Sequence, residues 1–350
     1  MDLDRDDRRA DAGRLVASAR SPVLRCALLG LFLALSGLAL SGCEERAVTD
    51  FGAAAAPAHR IVSLAPHLTE LVFSAGAGDR LVGVVEHSDW PPAARALPRI
   101  GDAFRLDFER IVALRPDLVL AWDTGTPARV IERLEELGLR IVVLGGARLA
   151  DIASDLRSIG RLAGTVTIAE RVARSFERDM DALAERYADA PPVSVFYQIS
   201  LEPLYTVNGR HLISELLSVC GGRSAFAELT ELAPAVSVEA VLLRDPDVIL
   251  AAAAGGEEAL DFWRRWPNLA AVRANNLFTV DDDLVARPTT RTVRGARQIC
   301  ARLDAARGAV DTKPRGQLDP RPRFQRTSVP DSWRASTRAS TNRRSDRRFR

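Results

Sequence analysis

The segment ERIVALRPDLVLAW, Glu109 to Trp122, can be laid without a gap on EAVLLRDPDVILAA, Glu239 to Ala252, at an offset of 130 residues. Each copy reads as a short helix, a Pro-Asp turn and an unbroken apolar strand. Strands of that kind are buried on both faces of a parallel sheet. A chain carrying two such units is constrained to two pseudo-equivalent lobes, and a cleft between lobes is where a ligand binds. Each copy also opens with a glutamate, Glu109 and Glu239.

The flanking residues extend both units in the same style. Arg60 to Leu64 is a strand ended by Pro66, Thr69 to Ala75 a helix closed by Gly76, and Leu81 to Val85 a strand. Val130 to Leu137 is a helix stopped by Gly138, and Leu139 to Leu144 the next strand. From Asp151 to Ala188 the pattern turns purely helical, with a cap pair at Gly164-Thr165. Ile168, Val172, Phe176, Met180, Leu183 and Tyr187 make one apolar stripe along a helix about 36 Å long. A second set follows: strands at Val193–Ile199, Leu204–Val207, Asp247–Ala252 and Leu277–Val280, with helices at His211–Val219, Val238–Leu243, Phe262–Trp266 and Thr289–Leu303. The expected fold class is α/β, with two parallel-sheet lobes joined by one long backbone helix.

The N-terminus carries an export pattern. Residues 1–25 are polar with six arginines, and Cys26 to Gly42 is an uncharged, mostly apolar run ending in Leu-Ser-Gly before Cys43. A basic region, an apolar region and small residues describe a secretory signal. The ending resembles a bacterial lipoprotein box, in which the Cys43 sulfur receives a lipid and the signal is removed; the alternative is an uncut signal anchor. Residues 43–58 read as a tether and 311–350, with twelve basic and four acidic residues, as a disordered tail. The overall charge of +2 therefore hides an acidic middle, which argues against a nucleic-acid surface. The expected organisation is leader 1–42, tether 43–58, N-terminal lobe 59–147, helical linker 148–190, C-terminal lobe 191–310 and tail 311–350. Cys220 and Cys300 form either a disulfide or two buried thiols, and export favours the bridge, which closes an 80-residue loop.

No nucleophile elbow, zinc-protease helix or phosphate loop is present, and the four histidines have no metal-ligand spacing. An enzyme, a metal centre and a resident cofactor are all disfavoured.

Three separated motifs resemble one family. RIVSLAPHLTEL from Arg60, GVVEHSDWPP from Gly83 and the segment Glu109 to Trp122 are similar to periplasmic substrate-binding proteins of ABC importers, in the subgroup for cobalamin, haem and iron–siderophores. The resemblance runs from about residue 59 to 305. It implies class III architecture, a monomer with a rigid backbone helix, and delivery of ligand to an ABC permease dimer with its ATPase subunits. It implies docking of Glu109 and Glu239 onto permease arginines, although helix-start glutamates also suit the macrodipole unaided. It places Cys220 and Cys300 at disulfide positions. It assigns ligand contacts to His87, Trp122, Tyr205, Asp283 and Arg287. Here His87 replaces a tyrosine and Tyr205 a phenylalanine, while Ala103, Ile199 and Ala233 replace aromatic residues. Fewer rings offer less flat contact to a macrocycle. His87 suits a hydrogen-bonding wall or axial ligation of cobalt or iron.

The expected function is a lipid-anchored extracytoplasmic protein that captures cobalamin or a related corrinoid. The alternatives are the same role for haem or a ferric siderophore and, lower, a secreted two-lobed α/β enzyme.

Overall fold

A computed structural model describes residues 56–102, 105–146, 148–252 and 256–311. The leader, Cys43, the tether up to residue 55, Ala103 and the tail from residue 312 lie outside the described residues.

The first lobe runs β1 (Ile61–Ser63), α1 (Pro66–Ser74), β2 (Leu81–Val84), α2 (Phe108–Ala113), β3 (Leu118–Trp122), α3 (Ala128–Glu136) and β4 (Ile141–Leu144). Two long helices follow, α4 (Leu149–Leu162) and α5 (Val166–Arg186). The second lobe runs β5 (Val193–Gln198), α6 (Leu212–Val219), β6 (Gly222–Ser224), α7 (Val238–Arg244), β7 (Val248–Ala252), α8 (Gly256–Trp263), α9 (Ala270–Arg273), β8 (Leu277–Val280), α10 (Asp282–Val285) and α11 (Thr292–Asp311). The sheets have orders β2-β1-β3-β4 and β6-β5-β7-β8, all parallel, and are topological copies of each other.

The sequence repeat has a physical basis in each copy. Asp107 caps α2 by accepting from the Arg110 N–H at 2.9 Å, and Ser237 caps α7 by accepting from the Ala240 N–H at 3.2 Å. Proline disfavours right-handed helix in the residue before it. Arg115 and Asp245 accordingly turn the chain through left-handed φ values of 45° and 43°. The aspartate after each proline then pins a neighbouring strand. Asp117 accepts from the His59 and Arg60 N–H groups at 2.8 and 3.0 Å, and Asp247 accepts from the Ser194 N–H at 3.0 Å.

Both sheets are buried on two faces. One contiguous core joins α1, β3, α4, α5, β5, α6 and α11 across the lobes. A separate cluster backs each sheet's other face. Continuous apolar strands such as Leu118 to Ala121 follow from that double burial.

Several sequence expectations shift. The first helix begins at Pro66, not Thr69, because a proline needs no N–H at a helix start. Leu204 to Val207 forms no strand; Tyr205 makes only isolated bridges to Ser200 and Ala235. The helix expected at Phe262–Trp266 is α8, which begins at Gly256 and ends at Trp263. The Thr165 hydroxyl caps nothing and is buried without a hydrogen-bond partner. On α5 the buried positions are Ala169, Ala173, Phe176 and Met180, while Ile168 is 37% exposed. The small residues win there because α4 passes too close for isoleucine: a Cβ on Gly160 would overlap Ala169.

Cys220 and Cys300 form a disulfide, linking the end of α6 to the middle of α11. Closing a loop of 80 residues contributes about 4 kcal/mol in the chain-entropy model. We expect the Cys220→Ala/Cys300→Ala variant to lose roughly 2–5 kcal/mol, measured by urea denaturation at neutral pH. An unchanged midpoint would show that the bridge constrains nothing in the unfolded chain.

Candidate functional site

In open α/β sheets, ligands bind beyond the carboxyl ends of the strands. There the first lobe carries a depression of about 120 Å³ whose lining includes Pro66, Val85, His87, Leu106, Trp122 and Val130. These residues follow or end β1, β2 and β3, or begin the next helix. All of the lining comes from the first lobe.

Trp122 is held by the turn that follows it. Its N–H donates to the Thr126 hydroxyl at 3.0 Å, and its carbonyl accepts from the Thr126 N–H at 2.8 Å. Gly125 lies against the indole, where any Cβ would overlap the ring. His87 has a left-handed φ of 63° and is exposed at the rim. His67 meets Trp122 edge to face, with centroids 4.8 Å apart. Burial, aided by the positive charge of Arg287, lowers its pKa to about 3, so the imidazole is neutral.

The remaining expected ligand residues follow strands of the second lobe. Tyr205 is 37% exposed and does not line the depression. Asp283 and Arg287 pair at 2.9 Å. Arg287 also reaches across to the first lobe, to Asp89 at 2.7 Å and Glu70 at 3.3 Å. Arg291 completes the crossing. It donates from Nε to Glu70 Oε2 at 2.8 Å and from Nη2 to Oε1 at 2.7 Å, and it lies over the Trp90 ring. Glu70 is only 2% exposed. Burial raises the Asp89 carboxyl, but its hydrogen bond and charge pairing with Arg287 outweigh that and hold it below the usual range.

Glu70, Arg291 and His67 were not among the sequence candidates. A signal for the first was available. A lone glutamate sits in the otherwise uncharged helix PHLTELVFS, and two arginines four residues apart lie in a Pro-containing loop.

A second seam contact caps α4. Glu215 on α6 accepts from the Leu149 N–H at 2.8 Å and from Arg148 Nε at 3.0 Å. Just before it lies Gly145-Gly146. The Gly145 N–H donates to Asp155 Oδ1 at 3.4 Å, while Asp155 Oδ2 is buried without a partner. Burial, together with the charge of Asp151, raises the Asp155 pKa to about 7.

Glu109 and Glu239 are both exposed, each at the second residue of its capped helix, α2 and α7. Among the described residues, no cluster of three or more His, Cys, Asp or Glu is placed to hold a metal, and no helix is long and apolar enough to cross a membrane.

Residues 61–284 match the model of the periplasmic binding protein family. The chain is 36% identical over 261 residues to the vitamin B12-binding protein of Vibrio campbellii, covering 74% of this chain and 94% of that one. It is 37% identical over 254 residues to the vitamin B12-binding protein of Vibrio cholerae, covering 71% and 91%. The crystal structure of the periplasmic vitamin B12 binding protein BtuF of Vibrio cholerae matches with a TM-score of 0.68 at 36% identity, over 72% of this chain and 98% of that one. The periplasmic haem-binding protein RhuT of Roseiflexus matches with a TM-score of 0.63 at 25% identity, over 71% and 99%. This chain belongs to the periplasmic binding protein family. It is a two-lobed binding protein of class III architecture rather than an enzyme, and membership implies a periplasmic location.

Asp155 gives this site a pH signature. The folded carboxyl keeps its proton to higher pH than the unfolded one, so the folded chain binds more protons between about pH 4 and pH 7. Stability conferred by the protonated carboxyl is full at the acid end and is lost as pH rises through about 7. Burial holds His67 and His211 below the ordinary imidazole value, which acts in the opposite sense up to about pH 6.5. The signature is therefore a difference: we expect Asp155→Asn to gain stability, read as its denaturation midpoint, relative to wild type as pH rises from 5 to 8. A slope unaltered by the substitution would assign the titration to another group.

Proposed function

We propose that this chain captures cobalamin or a related corrinoid between its lobes and delivers it to an ABC permease dimer with attached ATPase subunits. One observation carries the reading: a depression walled by Trp122 stands at the carboxyl ends of the strands, where a flat, largely apolar macrocycle gains most from a ring. The vitamin B12-binding relatives, matched over nearly their whole length, support it. In this reading Trp122 and His87 contact the ligand from one lobe and Tyr205 from the other. Asp283 and Arg287 close the wall, with Arg287 held in place by Asp89 and Glu70.

The same reading makes the chain a lipoprotein monomer. Its leader is residues 1–42, its anchor Cys43 and its tether 43–58; the lobes are 59–147 and 191–310, the helical linker 148–190 and the tail 311–350. Glu109 and Glu239 present carboxylates at equivalent points of two similar lobes, which suits a two-fold symmetric partner.

A second reading keeps the role and takes haem as ligand. The observation favouring it is the exposed His87 imidazole at the rim, a good axial ligand for iron.

Calorimetric titration of the purified full-length chain in detergent separates the two. We expect sub-micromolar binding of cyanocobalamin and cobinamide, weaker binding of haemin and a ferric siderophore, and a loss of at least tenfold in Trp122→Ala. Tighter binding of haemin than of either corrinoid would reverse the order of the two readings. Docking is tested independently with Glu109→Arg/Glu239→Arg, which we expect to retain ligand affinity while losing uptake in cells. Undiminished uptake would leave these residues as ordinary helix starts.

A further inference from the structure

The helix that carries Glu239 also carries the most exposed large apolar side chain among the described residues. Leu243 is 88% exposed, against 53% for the next, Val166. It stands four positions after Glu239 on α7, so the two side chains share one helix face with Cβ atoms about 6 Å apart. Val241, on the opposite side of the helix, is the buried residue. Arg244 turns away from that outer face, to the Ala225 carbonyl, to Glu228 and over the Phe226 ring. The other copy of the repeat shows the arrangement in weaker form. On α2, Val112 is 42% exposed three positions after Glu109, and Ala113, the equivalent of Leu243, is exposed at four.

Single apolar residues on a surface are ordinary, and one leucine alone calls for no account. Its place singles out Leu243. A glutamate at a helix start has an internal reason to be there. The Glu239 backbone N–H and the Ser237 hydroxyl hold its carboxyl below the usual range. An uncovered leucine has no such reason, since helix propensity is served as well by the alanine at position 113. Among the described residues neither Glu109 nor Glu239 forms an ion pair. A carboxylate without a cation and an apolar side chain without cover, on one face, match a protein surface that offers a cation and an apolar pocket one helical turn apart. A second copy meeting this face through its own α7 would bring another carboxylate, while Arg244 is already paired with Glu228. Anionic lipid headgroups would repel the carboxylate.

We propose that Glu239 and Leu243 form one docking surface for a permease subunit, with Glu239 meeting a cation and Leu243 seated beside it as an apolar anchor. The proposal rests on the permease-docking reading above. The helix α7 leads into the start of β7, so Leu243 lies about one turn farther than Glu239 from the carboxyl ends of the strands. The partner therefore reaches past the rim of the cleft and onto the flank of the second lobe. Because alanine holds the equivalent position in the first lobe, a two-fold symmetric dimer offers its apolar pocket twice and receives a leucine once.

The test uses the full-length chain in its own cells, with the photo-crosslinker p-benzoylphenylalanine replacing Leu243, Ala113 or, as an exposed apolar control, Val166. On irradiation we expect positions 243 and 113 to link to the same polytopic permease subunit, identified by mass spectrometry, and position 166 not to. Glu109→Arg/Glu239→Arg should abolish both links. Without the crosslinker, we expect Leu243→Asp to lower cyanocobalamin uptake at limiting ligand about tenfold and Leu243→Ala about threefold. Leu243→Met should restore it, and calorimetric affinity for cyanocobalamin should stay within twofold of wild type throughout.

A permease link from position 113 with none from 243 would overturn the proposal and leave docking to the glutamates. So would undiminished uptake in Leu243→Asp where Glu109→Arg/Glu239→Arg abolishes it. A link from position 243 to a second copy of the chain would make the face a homodimer contact and overturn the permease assignment. No permease link from either position would remove the docking reading together with the anchor, whatever ligand the cleft holds.

Discussion

Glu70 sits almost wholly buried where the two lobes meet, and its charge is answered from the other side by Arg291 and Arg287. Burying such a group is expensive, and an apolar contact of the same volume would be at least as stable. What a charged contact adds is registry. The Arg291 fork fits the carboxylate in one orientation, so the lobes meet at one relative position. Trp90 under Arg291, Asp89 beside Arg287 and Pro288 against Gly146 follow from that position. Arg287 is thereby part of the contact that joins the two lobes.

The two lobes share a frame yet differ in what they present. Caps, left-handed turn residues and strand-pinning aspartates recur at an offset of 130 residues. The last position of the repeated strand does not, being Trp122 in one copy and Ala252 in the other. Repetition therefore extends through the elements that build each sheet and stops where the chain meets the cleft. That difference explains why the depression is lined from one lobe alone. The aromatic wall of the depression stands on one half of a duplicated scaffold.

Much of this was legible from residues alone. Continuous apolar strands and the Pro-Asp turns report local chemistry, and local chemistry is what a sequence pattern encodes; the cysteine pair was legible from the export pattern and the family resemblance. The position of Trp122 at a strand end was legible because it, too, is local. Glu70 stood out as the one charge on its helix, but its partner did not, and His67 did not stand out at all; the residue that makes each intelligible lies more than fifty positions away, Arg291 for one and Trp122 for the other. The stripe on α5 misled at its start because side-chain size, set by the approach of α4, overrode hydropathy at Ala169 and Ala173. Tyr205 looked like part of a strand because its neighbours are apolar, but it makes only single bridges.

The disulfide and the seam share one rod. Cys300 lies within α11, and Arg291 immediately precedes that helix's first residue. The covalent bond fastens the rod to the end of α6, while its forward tip grips the first lobe. A covalent tie within the second lobe and a charged grip on the first thus lie nine residues apart on one length of chain.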